Sequence, residues 1–178
     1  MLEISIPKGE LWDEAHNEFI YTKETKIKLE HSLLSVSKWE SKYKKPFIGT
    51  ELTNQEMMYY IKCMTITQNV KDETYLSLTL QNLRDIQAYI EDPMTATTVN
   101  AHSKGGNREI VTSELIYYWM ITLNIPMECQ KWHLNRLLML IQVCNVKQNP
   151  PKKIAKNELI ARNRALNARR KKKYHTKG

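Results

Sequence analysis

The chain has 178 residues and a formal net charge of +8, with 42% hydrophobic and 26% charged residues. That length fits one domain with its own core, and the near-ordinary composition excludes disorder throughout. The longest apolar passage, Leu115 to Ile125, is interrupted by Thr122 and Asn124 and stops at Pro126. It is too short to cross a bilayer, so a soluble protein is expected.

The start, Met1 to Pro7, lacks the basic residues and long apolar run of a secretory signal. Cys63, Cys129 and Cys144 are odd in number and widely scattered, which argues against a disulfide framework and for a reducing compartment. Charge is unevenly spread. Residues 152–178 hold eleven Lys or Arg and one acid, Glu158, a local charge of +10 that leaves the first 151 residues at −2 against the whole-chain +8. The body is nearly neutral and the basicity is an appendage.

Period-two patterning opens the chain: Leu2, Ile4 and Ile6 alternate with Glu3 and Ser5, Ile27 and Leu29 repeat the pattern, and Phe19-Ile20-Tyr21 is a short apolar run. With turn residues at Pro7-Lys8-Gly9 and from Thr22 to Thr25, this predicts a small antiparallel sheet. Helical spacing follows. Val36, Trp39 and Tyr43 recur at i, i+3, i+7 before Pro46. Thr53 and Glu56 have capping-box spacing, and the helix they open is expected to bury Met57, Ile61 and Met64. Thr79 can cap a third helix with Leu83, Ile86 and Ile90 inward and Pro93 beyond its end.

Two β-prone stretches, Thr95 to Val99 and Arg108 to Val111, flank Ser103-Lys104-Gly105-Gly106-Asn107 and predict a hairpin insertion. Leu115, Ile116, Trp119, Met120 and Leu123 then form a broad apolar helical face. After the break at Pro126 another helix carries Leu134, Leu137, Leu138, Ile141 and Cys144. The short break favours an antiparallel helical pair holding the core. Pro150-Pro151 ends that helix. Beyond it, Ile154, Leu159, Ile160 and Leu166 form a thin apolar stripe on a basic helix. The expected fold is mainly α: a helical domain over residues 1–151 with a small N-terminal antiparallel β element and a β-hairpin insertion, then a basic C-terminal helix or tail over 152–178.

The chemistry-bearing residues do not assemble into a catalytic pattern. Cys129 and His133 share a helix face at i, i+4, but zinc takes three or four ligands and no second local pair exists. Lys104-Gly105-Gly106 has its lysine before the glycines, the reverse of a phosphate loop. The histidines His16, His31, His102, His133 and His175 are dispersed. Asp13-Glu14 and Glu91-Asp92 read as solvated turn or helix-end acids. No enzyme, metal or cofactor is expected.

Adjacent aromatics carry more information. Neighbours on a helix point about 100° apart, so Tyr59-Tyr60 and Tyr117-Tyr118 cannot be equally buried. Trp39, Tyr59, Tyr118 and Trp132 are the candidate partner contacts, each also a reasonable core residue. In the tail, Arg162, Arg164, Arg169, Arg170, Lys171, Lys172 and Lys173 would attract phosphate or an acidic protein surface.

The stretch Leu29 to Glu40, followed by Lys45-Pro46-Phe47, resembles a segment of small proteins from tailed bacteriophages. So do Thr112 to Met120, Trp132 to Leu138 and Ala165 to Arg170, in the same order. Those proteins are identified as tail assembly chaperones. The resemblance implies a non-enzymatic protein of the host bacterial cytoplasm that binds the phage tape-measure protein, keeping its apolar helices soluble until tail-tube subunits polymerise around it. Met-rich surfaces suit such varied apolar partners. A nucleic-acid-binding protein acting through the basic tail, and a minor head–tail virion component, are the competing readings.

Overall fold

The computed structural model describes residues 1–13, 17–98, 110–148 and 156–174. Strand β1 (Leu2–Ile6) pairs antiparallel with β4 (Thr25–Leu29), placing Leu2 opposite Leu29 and Ile4 opposite Ile27. The alternation puts Ile4, Ile6, Ile27 and Leu29 in the core, as a half-buried strand requires. Between them, β2 (Gly9–Asp13) pairs with β3 (Glu18–Thr22) in a separate two-stranded ribbon. Gly9 is therefore the first residue of a strand rather than part of a turn. A side chain there would meet the Ser77 hydroxyl at 2.6 Å, so any larger residue would have to displace Ser77.

Helix α1 (Leu33–Tyr43) starts at Ser32, whose side chain accepts from the Ser35 N–H, and ends at Lys44 in the left-handed region with φ 56°. Leu33, Val36 and Trp39 are buried along it. Helix α2 (Asn54–Met64) opens with the expected capping box: the Thr53 N–H donates to Glu56 Oε2 at 2.9 Å and the Glu56 N–H to Thr53 Oγ1 at 3.4 Å. Ile61 and Met64 are buried as expected, whereas Met57 is only half-buried and Tyr60 is buried as well. The end of α2 returns to the sheet, where the Glu30 N–H donates to the Met64 carbonyl and the Ile66 N–H to the Lys28 carbonyl.

A short 3-10 helix, Asp72–Ser77, supports the ribbon. The Gly9 N–H donates to Thr22 Oγ1 at 2.8 Å, and the Thr22 and Ser77 hydroxyls are hydrogen-bonded at 2.6 Å. Helix α3 (Leu80–Glu91) is capped by Thr79, with Asn82 completing a capping box and donating to the Ser5 carbonyl at 3.2 Å. Ile86 is buried, but Leu83 and Ile90 are half-buried and Tyr89 supplies the second buried position.

Helix α4 (Ser113–Thr122) buries Ile116 and Met120, while Leu115, Trp119 and Leu123 remain half-buried. It packs chiefly against α1. A 3-10 helix, Met127–Lys131, intervenes before α5 (Leu134–Gln148). The intervening turn also contacts α1, and buried residues of α4 and α5 belong to the same core. Helix α6 (Lys156–Tyr174) is the basic C-terminal helix. The chain divides into two compact units, Met1–Asn145 and Val146–Gly178, with the division inside α5. The hairpin expected about Gly105-Gly106 and the break at Pro150-Pro151 lie outside the described residues. The described flanks Thr95 to Thr98 and Ile110 to Val111 are not strands.

Glu40 ties these pieces together. It is 7% exposed, accepting from the Phe47 N–H at 2.8 Å and from the Ser113 N–H at 2.7 Å. The second bond satisfies an orphan donor in the first turn of α4, where negative charge also favours the helix dipole. Glu40→Ala strands both donors and is expected to cost roughly 2–6 kcal/mol, at ~1–3 kcal/mol per unsatisfied buried group. Urea denaturation checks this: a loss below about 1 kcal/mol, within a typical net hydrogen bond, would refute the role.

Candidate functional site

The chemically richest cluster is buried. His31 and His133, 3% and 5% exposed, stack edge to face with ring centroids 5.0 Å apart. His31 Nδ1 is hydrogen-bonded to the Tyr60 hydroxyl at 2.5 Å. His133 Nε2 lies 2.9 Å from the Tyr89 carbonyl, which can only accept, so that nitrogen carries the proton. His133 Nδ1 has no hydrogen-bond partner. The Tyr89 hydroxyl donates to Glu30 Oε1 at 2.5 Å, and its own titration is pushed far up by burial and then by that carboxylate. These groups come from the end of β4, from α2 and α3, and from the residue preceding α5.

Backbone hydrogen bonding fixes the junction. The Leu134 N–H donates to the His31 carbonyl at 2.7 Å, and Ser32 and His133 form an isolated antiparallel bridge. Burial, and secondarily the neighbouring His133, push His31 down to about 3. Both rings are packed in the core, so a substrate has no approach to them. The cluster is a structural junction.

Cys129 and His133 do not share a helix face. Cys129 lies in the 3-10 helix ending at Lys131, and His133 follows that helix and faces Tyr89. Among the described residues no group of three His, Cys, Asp or Glu could hold a metal ion, and no helix is long and apolar enough to cross a membrane.

The four candidate contact residues separate. Trp39 is 0% exposed, donates its Nε1–H to the Glu56 carbonyl at 3.1 Å, and packs against Tyr43 and Phe47. It is a core residue with no surface to offer a partner. Tyr59 is half-buried, edge-on to Tyr43 at 5.6 Å, and lines a shallow cleft with Lys38, Lys62 and Cys63. Tyr118 is 61% exposed and Trp132 is 37% exposed, with the Arg136 guanidinium 4.5 Å above its ring. The angular argument holds for both tyrosine pairs. Tyr60 is buried beside Tyr59, and Tyr117 turns inward to donate to Gln130 Oε1 while Tyr118 faces solvent.

The larger exposed aromatic surface lies on the β2–β3 ribbon. Trp12 faces Phe19 across the ladder, with centroids 4.8 Å apart, and Phe19 neighbours Tyr21 at 6.4 Å. All three are solvent-exposed, Tyr21 the most. Glu10 stands opposite Tyr21 and pushes its phenol up, first by hydrogen bonding. The sequence carries the signal in the i, i+2 spacing of Phe19 and Tyr21. Gly9 conceals it by suggesting a turn where the second strand begins.

The basic candidates fall in α6. Arg164, Arg169, Arg170, Lys171, Lys172 and Lys173 are all exposed. Arg162 belongs to the same helix, but its side chain lies outside the described residues. Of the expected apolar stripe, Ile160 and Leu166 are exposed, while Ile154 and the Leu159 side chain lie outside the described residues. Comparisons with family models, curated proteins and solved structures gave no match.

The depressed His31 titration has a definite sign. The unfolded chain takes up a proton near pH 6.5 that the folded chain refuses until about pH 3. Its contribution is complete above pH 6.5 and is lost as pH falls through that window, by up to about 1.4 kcal/mol per pH unit. His31→Gln is expected to shallow the acid limb of a stability-versus-pH curve measured by urea denaturation. Parallel acid limbs for variant and parent would exclude this origin.

Proposed function

We propose that this chain is a non-enzymatic assembly chaperone that holds an apolar helical partner, the tape-measure protein of a tailed bacteriophage, before the tail tube forms around it. The observation that carries the reading is the exposed ladder of Trp12, Phe19 and Tyr21. Aromatic rings supply large contact area at low entropic cost. Covering the exposed half of three rings contributes on the order of 7 kcal/mol before association costs, at ~25 cal/mol per Å².

The ribbon is braced by the Gly9–Thr22–Ser77 contacts, so its face is held in place before a partner arrives. Glu10 borders it, and that negative charge disfavours a phosphate backbone while suiting an apolar protein surface. Tyr118 and Ile121, exposed and neighbouring at i, i+3 on α4, offer a second apolar contact. The identity of the partner rests on the likeness of Leu29–Glu40, Thr112–Met120 and Trp132–Leu138 to tail assembly chaperones. Host cytoplasm is the compartment that goes with it, and the tail-tube protein is the second partner the role implies.

Co-expression with the matched tape-measure protein is the test. The parent chain is expected to co-purify with it and raise its soluble fraction. Phe19→Lys/Tyr21→Lys should reduce the recovered complex at least tenfold. Because both rings face solvent, the double variant's own stability is expected to fall by no more than the lost cross-strand pairings, about 1 kcal/mol per site. Failure of the parent to bind or solubilise would sink the reading, as would recovery of the chain as a fixed component of purified virions.

A further inference from the structure

Helix α6 carries most of the positive charge of residues 152–178. Its 19 residues span about 28 Å. Side chains from Ile160 to Tyr174, Arg162 aside, are exposed. Ile160 and Leu166 lie about 120° apart around the axis, so these two exposed apolar side chains do not share one face. The run Arg169 to Lys173 advances about 100° per residue and encircles the helix with positive charge. Such a run is self-repelling, since like charges at i, i+4, as in Arg169 and Lys173, destabilise a helix. An acidic protein surface would neutralise one side only. The major groove of duplex DNA, about 12 Å wide, accepts a helix of about 10–12 Å diameter and presents phosphates on both sides.

One narrow stripe breaks the pattern. Asn163, Asn167, Arg170 and Tyr174 recur at i, i+4, i+7, i+11, within about 60° of one another. Asparagine amides match the paired donor and acceptor on the adenine edge, and guanidinium matches guanine. Arg164 and Lys171 flank the stripe on one side, Arg169 and Lys173 on the other. We infer that α6 binds duplex DNA in the major groove, with Asn163, Asn167 and Arg170 turned to base edges and the flanking cations turned to the two phosphate walls.

The test uses the full chain with fluorescently labelled 20-base-pair duplexes, read by anisotropy across a salt series. Four phosphate contacts predict a slope of log affinity against log salt of about −4. Lys171→Gln/Lys173→Gln should weaken binding to every duplex and reduce that slope by about 2. Asn163→Ala/Asn167→Ala should leave the slope and random-duplex affinity unchanged. It should weaken binding about tenfold or more to the duplex enriched from a random pool. Circular dichroism of each variant separates lost contacts from lost helix. Three results would overturn the inference: no duplex binding near 0.15 M salt, single strands or polyglutamate bound as tightly as duplex, or an asparagine variant that matches the parent on the enriched sequence.

Discussion

The body is organised around one buried joint, where residues distant in sequence must stay dry. The Leu134 N–H reaches the His31 carbonyl, Ser32 pairs with His133, and the two imidazoles fill the space between α2, α3 and the start of α5. The joint sets where β4 ends, where α1 begins and where α5 begins. A charged ring there would have to give up its hydration without a counter-ion, which is costly in a low-dielectric interior. The downward displacement of His31 is the electrostatic record of that constraint. The short contact with Tyr60 anchors α2 to the same point.

Local signals made much of this architecture legible from sequence. The capping box at Thr53, the cap at Thr79, the alternation of Ile4, Ile6 and Ile27, and the stop before Pro46 each depend on neighbours within a few residues. Local chemistry overrides little there. What stayed hidden depends on partners far along the chain. Glu40 reads as an ordinary surface acid until Phe47 and Ser113 aim their N–H groups at it. Tyr60 and Tyr89 are buried where Met57 and Leu83 are only half-buried, and their hydroxyls find partners in His31 and Glu30. The packing of α4 and the following turn on α1 stayed hidden, since periodicity reveals a buried face without naming the element that covers it.

The candidate surfaces show the same division. Tyr118 facing outward followed from the angle between neighbours on a helix, and so did the contrast of Tyr59 with Tyr60. Trp39 did not follow, because spacing cannot separate an aromatic anchor for a partner from one for the core. The ribbon was missed because Gly9 reads as a turn, while in the folded chain its missing side chain lets β2 approach Ser77. The resulting chain carries an apolar ribbon bordered by acid and a helix ringed by cations. Surfaces of such opposite chemistry discriminate between partners by electrostatics alone, and can serve distinct ligands without competing for the same residues.

The placement of the four tryptophans has a spectroscopic consequence. Trp39 is sealed from water with its indole N–H hydrogen-bonded, so it should emit at short wavelength and resist aqueous quenchers until the core opens. Trp12 stands in solvent on the ribbon, Trp119 is half-buried on α4, and Trp132 lies beneath a guanidinium. Intrinsic fluorescence of the unlabelled chain can therefore resolve two events in one titration: occupation of the ribbon through loss of quencher access at Trp12, and melting of the interior through the red shift of Trp39.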